Sequence, residues 1–119
     1  MTAVYRPLPC DDFRRDSEAL IARVDGRLAM LAAGREPVNL RLAGRLAETL
    51  RELIIATTRA SAADRARVRA AVHYFVLGRS ARRARPPGRG LADDVRVVNG
   101  VAADLGRTDL LVDPAAQPV

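Results

Sequence analysis

The chain has 119 residues, of which 49% are apolar, and it carries a formal net charge of +6. This length fits a single domain spanning residues 1–119, and no run approaches the roughly 20 apolar residues that a membrane-spanning helix needs. Cys10 is the only cysteine, which excludes an internal disulfide and a cysteine-based metal site and fits a reducing cytoplasm.

The N-terminal segment and the first helix come first along the chain. Residues 1–10 contain two prolines and predict an extended arm, since the residue before a proline avoids the helical conformation. From Asp11 to Ala33, apolar residues recur at helical spacing, with acids in the first turn and Gly34 placed to end the helix. We therefore predict helix one over residues 11–33.

Helix two is predicted from about Val38 to Arg59, because one face is apolar and the other carries charges of both signs. Its apolar face comprises Leu42, Ala43, Leu46, Leu50, Leu53, Ile54 and Thr57. Helix three is predicted to begin near Ser61, whose hydroxyl suits an N-cap, with Asp64 favoured by the helix dipole. Gly78 ends it. Its apolar face comprises Val68, Ala71, Val72, Phe75 and Val76.

Helix four is predicted from about Leu91 to Leu105, with Gly106 as its stop. After it, Thr108 to Asp113 predicts either a short helical turn or a strand-like end that covers the core, and residues 114–119 predict a frayed tail. No stretch alternates with period two for long enough to indicate a sheet. We therefore expect an all-α fold, a compact bundle of four main helices with a basic Pro- and Gly-containing connection between helices three and four.

The positive charge is concentrated around that connection. Eight arginines and no acid lie between Arg65 and Ala92, whereas the rest of the chain has twelve arginines and fourteen acids. The segment 79–89, called the basic connection below, carries Arg79, Arg82, Arg83, Arg85 and Arg89. Every basic residue is an arginine, which indicates either bidentate binding of phosphate or carboxylate groups or the codon usage of a GC-rich genome.

A recognisable pattern surrounds the basic connection. An aromatic pair ends helix three, and Gly-Leu-x-Asp-Asp opens helix four. The residues at matching spacing are Tyr74, Phe75, Pro87, Gly90, Asp93 and Asp94. Over about residues 69–105 the chain therefore resembles the bacterial YkvA-like domain, a family of small helical proteins without an established function. Where that family carries Ser-Pro-x-Asp-Leu-Ile-Pro-Asp, this chain reads Arg-Ser-Ala-Arg-Arg-Ala-Arg-Pro over residues 79–86. The resemblance implies a helical fold rather than a mechanism.

Asp93 and Asp94 are adjacent acids, and two carboxylates in one place are a candidate site for a divalent cation. Adjacent residues on a helix point about 100° apart, so Asp93 is predicted to face solvent and Asp94 to lean towards the apolar face. Asp94 then needs a partner, either the first-turn amides or an arginine of the basic connection. We favour a structural role for the pair and predict no metal site.

His73 is the only histidine, and it is predicted at the rim of the apolar face of helix three, one turn after Arg69. A general base is the alternative role for it. The sequence has no Ser/His/Asp or Cys/His pattern that would supply a nucleophile beside it. We therefore predict no cofactor, and we group His73 and Tyr74 with Asp93 and Asp94 as a structural polar cluster.

Three functional hypotheses remain open. The first is a bacterial helical module without catalytic activity that acts by contacts with an unidentified protein or by self-association. The second is binding of nucleic acid or an anionic membrane surface through the basic connection, which has no aromatic residue for base stacking and would bind nucleic acid without sequence specificity. The third is an enzyme or metal-binding protein that uses Asp93, Asp94 and His73. Because the N-terminus lacks the apolar segment of a signal peptide, we expect a cytoplasmic protein, peripheral at the membrane under the second hypothesis.

Overall fold

The computed structural model describes residues 9–34, 39–77 and 91–113, with side chains described from residue 15 onwards within those ranges. The helices are α1 (Pro9–Ala33), α2 (Leu40–Ala56), α3 (Ala62–Leu77), α4 (Ala92–Asp104) and a short 3₁₀-helix (Thr108–Leu110). No strand occurs in the described ranges. The expectation of an all-α bundle of four main helices is confirmed.

The first helix begins earlier than the sequence predicts. Pro9 is the first residue of α1 and Cys10 is also helical, so the extended arm predicted over residues 1–10 is wrong at its end. A proline is well tolerated in a first helical turn, since its fixed φ suits the helix and its missing N–H would have no intrahelical acceptor. Residues 1–8, the basic connection and the predicted frayed tail at 114–119 lie outside the described residues.

The two middle helices form the centre of the bundle. α1 and α4 each pack against both α2 and α3. Among its described residues, α1 places only Val24 fully in the core, while its other apolar residues on that face are partly buried. The buried core residues of the other helices are Leu42, Leu46, Ala47, Leu50, Leu53, Ile54, Val68, Ala71, Val72, Phe75, Val95, Val98 and Ala102.

The second helix has a cap at its start and a buried face along its whole length. The Oδ1 atom of Asn39 accepts a hydrogen bond from the backbone N–H of Leu42 at 3.1 Å, which satisfies a donor that has no partner within the helix. Every residue predicted for the apolar face of this helix is buried. Just beyond its end, the Thr57 hydroxyl donates to the Leu53 carbonyl at 2.7 Å, so this buried polar group is satisfied.

The bundle has two distinct ends. α2 and α3 have 17 and 16 residues, which makes each about 25 Å long. They pack against each other, and Ile54 near the end of α2 lines one cleft with Arg65 near the start of α3, so the short link over residues 57–61 joins antiparallel neighbours. The last turn of α3 is therefore level with the first turn of α2, which itself follows the end of α1. We call this the connection end, because the basic connection leaves α3 there, and we call the opposite end the turn end.

The last helix also begins at the connection end. The Thr49 hydroxyl of α2 donates to the Leu110 carbonyl at 3.0 Å, and Arg107 lies close enough to Glu52 for their charges to interact. Thr49 and Glu52 both lie in the second half of α2, and Arg107 and Leu110 directly follow α4. The end of α4 therefore points towards the turn end, and its first turn lies at the connection end.

The segment after α4 folds back, and the side chain of Asn99 holds its end in addition to Thr49. The Nδ2 atom of Asn99 donates to the Val112 carbonyl at 2.8 Å, and its Oδ1 atom accepts from the Val112 N–H at 2.7 Å.

Replacing Asn99 by alanine is expected to lower the free energy of unfolding by about 1–3 kcal/mol, because both backbone groups of Val112 lose their partner. Urea denaturation followed by circular dichroism measures this loss. Arg96→Ala, an exposed change on the same helix, is expected to cost less than about 0.5 kcal/mol, and equal stability of the two variants would contradict the assignment.

The same segment contains an ion pair on its surface, between Arg107 and Asp109. The Nε and Nη2 atoms of Arg107 donate to the two carboxylate oxygens of Asp109 at 3.0 and 2.9 Å, and this hydrogen bonding holds the pKa of Asp109 below its usual value. The pair therefore contributes stability above the pKa that Asp109 has in the unfolded chain, and this contribution is lost as pH falls through the lower folded pKa. Arg107→Gln is expected to raise the pKa of Asp109 in a carboxyl NMR titration, and an unchanged pKa would contradict the contact.

Candidate functional site

The two adjacent acids lie in the first turn of α4, where the helix dipole favours negative charge. Asp94 is 2% exposed, which confirms the prediction that it leans into the core. Asp93 is less open to solvent than the helical geometry predicts, since its side chain is 18% exposed and its Oδ1 atom lies 3.4 Å from Nη2 of Arg96. Both acids also make a further interaction, so neither carboxylate is unpartnered.

This placement separates the two carboxylates. Asp94 belongs to the interior of the bundle, and Asp93 pairs along the helix surface with Arg96. Within the part of the chain that the structure describes, no group of three or more His, Cys, Asp or Glu side chains is placed to hold a metal ion. A metal-binding role therefore has no geometric support from the described residues.

The other two residues of the predicted polar cluster lie near the end of α3. His73 and Tyr74 are both half-buried, and both lie at the connection end, as do Asp93 and Asp94. Among the described residues, no hydrogen bond or ion pair joins His73 to either carboxylate. The four residues share one end of the bundle, and His73 is not joined to the two acids.

The arginines predicted to bind an anionic partner, Arg79, Arg82, Arg83, Arg85 and Arg89, lie outside the described residues. The points at which this segment joins the bundle are known, because α3 ends at Leu77 and α4 begins at Ala92. Both points lie at the connection end. Five positive charges with no acid among them are therefore attached to this end of the bundle.

The connection end also carries exposed apolar side chains that sequence reasoning missed. Met30 in the last turn of α1 is 68% exposed, Leu40 at the start of α2 is 45% exposed, and Leu77 at the end of α3 is 52% exposed. A signal was available in the sequence: at 100° per residue, Met30 lies about 120° from Val24 and Leu77 about 140° from Val72. Neither therefore belongs to the core face of its helix.

Two further large apolar side chains are exposed elsewhere. Ile55, in the last turn of α2, is 58% exposed, and Leu111, after the 3₁₀-helix, is 44% exposed. Single exposed apolar residues are common on protein surfaces and need no functional explanation. These two lie away from the connection end, so they serve as reference positions for the three that share it.

A small cleft lies near the turn end, between α1, α2 and α3. Its lining residues are Asp16, Ser17, Leu20, Ile54, Thr57, Thr58, Arg65, Val68 and Arg69. It encloses about 30 Å³, which is room for roughly two water molecules. Arg69 is already paired, since its Nη2 atom lies 3.3 Å from Oδ2 of Asp16.

The hydroxyl groups of this cleft all donate hydrogen bonds to other groups of the protein. Thr58 donates its hydroxyl proton to the Ile54 carbonyl at 3.1 Å, so in its 3.1 Å contact with Ser17 the Ser17 hydroxyl is the donor. The Thr57 proton goes to the Leu53 carbonyl. All three hydroxyl protons therefore serve internal hydrogen bonds, and the cleft offers no hydroxyl donor to a ligand. Sequence reasoning missed this cleft, because its residues come from α1, α3 and the end of α2 with the turn that follows it.

No family model, curated protein or solved structure matches this chain. The resemblance to the YkvA-like domain therefore stays a prediction. No helix within the described ranges is both long enough and apolar enough to cross a membrane.

Proposed function

We propose that the protein is a non-enzymatic bacterial helical module, related to the YkvA-like domain, that acts through contacts made by its connection end. One observation carries the proposal: the end that bears Met30, Leu40 and Leu77 as exposed apolar side chains is also the end to which the basic connection is attached. A surface that combines apolar side chains with a local excess of one charge is typical of an interaction site.

A catalytic role has weaker support. Among the described residues, the cleft at the turn end holds roughly two waters, while pockets for small molecules are typically about 300–1,000 Å³. Asp94 is enclosed in the core, where it has no access to a substrate. His73 has no hydrogen bond to either acid, so a general base oriented by a carboxylate is not assembled.

The charge of the connection end favours an anionic partner over a second copy of the chain. Two copies joined symmetrically through this end would bring together their two basic connections, with ten arginines and no acid between them. Such a like-charge contact is unfavourable. An acidic or phosphate-bearing surface instead pairs with each guanidinium group.

The test is binding of a polyanionic probe, a fluorescently labelled DNA duplex, measured by anisotropy across a salt series. We expect micromolar or tighter affinity near physiological salt and a steep fall as salt is added, because bound cations are released when arginines neutralise phosphates. Replacing Arg82, Arg83 and Arg85 by alanine is expected to weaken binding by about tenfold or more.

A matched control separates the basic connection from total charge. Arg15, Arg23 and Arg59 are exposed and lie away from the connection end, so replacing all three by alanine removes the same charge from other surfaces. This variant is expected to lose no more than about threefold in affinity, since distant charges are largely screened. Equal losses for the two variants, or no binding by the wild-type protein, would contradict the proposal.

Non-specific nucleic-acid binding is the second candidate, and the five arginines of the basic connection favour it. A competition experiment with duplexes of unrelated sequence distinguishes a general phosphate contact from base reading. Equal competition by all duplexes is expected, because the basic connection contains no aromatic side chain on which a base could stack.

A further inference from the structure

We infer that a second copy of this chain is a partner of the protein, joined to it by reciprocal exchange of the segment 107–113, called the hook below. The hook follows α4 and folds back against α2 and α4 of its own chain. The same site in a second copy offers the hook the same contacts. This inference goes beyond the proposed function, because it uses none of the residues of the connection end.

The site that holds the hook recognises mainly its backbone. Asn99 of α4 pairs with both backbone groups of Val112, at 2.8 and 2.7 Å, and Thr49 of α2 donates to the Leu110 carbonyl at 3.0 Å. A side-chain amide has both a donor and an acceptor, so it can satisfy one residue of any extended segment. Leu111 is extended, with φ −61° and ψ 137°. These contacts therefore require an extended segment but not one from the same chain.

The hook is anchored by one apolar side chain. Val112 is 3% exposed and belongs to the core, and Leu110 is partly buried against that core. Leu111, which lies between them, is 44% exposed. Alternate side chains of the hook therefore point inwards and outwards, which is typical of an extended peptide that docks on a surface. The apolar gain from burying the valine is the same for a hook of either copy.

A single residue joins the hook to α4. Gly106 has a φ of +73°, the left-handed conformation that ends the helix, and the Arg107 N–H donates to the Ala102 carbonyl at 2.8 Å. Because glycine adopts other φ values at little cost, rotation at Gly106 redirects the hook and leaves the preceding turns of α4 in place. Exchange keeps the contacts of the docked hook and changes the hinge, which makes it a low-cost route to a dimer.

The charges around the hook are of both signs. Arg107 pairs with Asp109 within the hook and lies close enough to Glu52 of α2 for their charges to attract. A contact between two copies at this site therefore does not gather charges of one sign. The Glu52–Arg107 attraction is also preserved when the hook comes from the second copy.

The test uses two full-length variants, each of which lacks one half of the docking contact. Val112→Ser removes the anchor and keeps Asn99, whereas Asn99→Ala keeps the anchor and removes its binding partner. The ¹⁵N-labelled Val112→Ser variant is titrated with unlabelled Asn99→Ala, and the side-chain amide signal of Asn99 is followed by NMR. We expect this signal to move at least about halfway to its wild-type chemical shift at millimolar partner, because a short hinge corresponds to a millimolar effective concentration.

The matched control is the unlabelled double variant Asn99→Ala with Val112→Ser, whose hook has no anchor. It is expected to leave the Asn99 signal unshifted. The double variant Asn99→Ala with Leu111→Ser changes the outward side of the hook instead and is expected to act like Asn99→Ala. Circular dichroism confirms that each variant is folded. An unshifted signal with Asn99→Ala, or equal shifts with the anchorless control, would overturn the inference.

Measurements without these variants test the inference even if one of them fails to fold. In the wild-type protein, the Val112 amide is expected to exchange its hydrogen at least about tenfold faster than the Leu50 amide in the core, because the hook opens without global unfolding. Gly106→Ala meets no clash but strains the positive φ, so it is expected to raise the dimer fraction in light scattering by about fivefold or more. Exchange at Val112 only by global unfolding, or monomers at every concentration for both proteins, would contradict exchange of the hook.

Discussion

Replacing Phe75 by alanine is expected to lower the free energy of unfolding by about 3–5 kcal/mol, the largest effect of any single substitution considered. Phe75 is 1% exposed and is among the largest fully buried side chains of the described residues. Its ring fills space in a core otherwise made of aliphatic side chains, so truncation leaves a cavity that the neighbouring residues only partly close. Domains of this size are stabilised by only about 5–15 kcal/mol in total.

Urea denaturation followed by circular dichroism measures this effect. Leu77→Ala, two residues later on the same helix, is the comparison, because half of that side chain is already exposed. It is expected to change stability by less than about 1 kcal/mol. Similar losses for the two variants would mean that Leu77 also belongs to the core, which would remove it from the proposed binding surface.

Replacing Asp94 by alanine is expected to lower the free energy of unfolding by about 1.5–3 kcal/mol. The carboxylate is buried and partnered, and its removal leaves the group that faces it without a charged acceptor. It also removes a negative charge from the first turn of α4, where the helix dipole favours one. A loss of stability of this size would identify Asp94 as a structural residue that stabilises the start of α4.

Asp93→Ala is the control for this prediction. Asp93 is more exposed and pairs with Arg96 at 3.4 Å in an i,i+3 arrangement, so its loss is expected to cost less than about 1 kcal/mol. Thermal and urea denaturation of both variants show which substitution lowers the free energy of unfolding more. If Asp94→Ala kept full stability and lost binding of the DNA duplex, Asp94 would belong to the binding site rather than to the core.

The positions of the helices could be predicted from the sequence because their apolar residues recur strictly at helical spacing. Every residue predicted for the apolar face of α2 is buried, and Ala47 and Thr49, which the prediction omitted, are buried with them. The predicted burial of Val68, Val72 and Phe75 in α3 is confirmed. The start of α1 could not be predicted, because Pro9 is equally typical of an extended segment and of a first helical turn. The local sequence is compatible with both conformations.

The candidate surface was harder to predict than the helices. The burial of Asp94 follows from its angle on α4, which sequence spacing supplies. The exposure of Met30, Leu40 and Leu77 at one end depends instead on which helix ends lie together, and that depends on the tertiary arrangement. The cleft near the turn end likewise joins residues that are distant along the chain, such as Asp16 and Arg69.

The most direct test of the connection end as the binding surface is an amide chemical-shift titration of the ¹⁵N-labelled protein with the DNA duplex that serves as the polyanionic probe. The largest changes are expected around Met30, Leu40, Leu77 and Asp93, which mark the ends of α1 and α3 and the starts of α2 and α4. The amides around Ile55 and Arg65 at the turn end are expected to stay unchanged. Changes centred on the turn end, or no changes on addition of the duplex, would contradict the proposed surface.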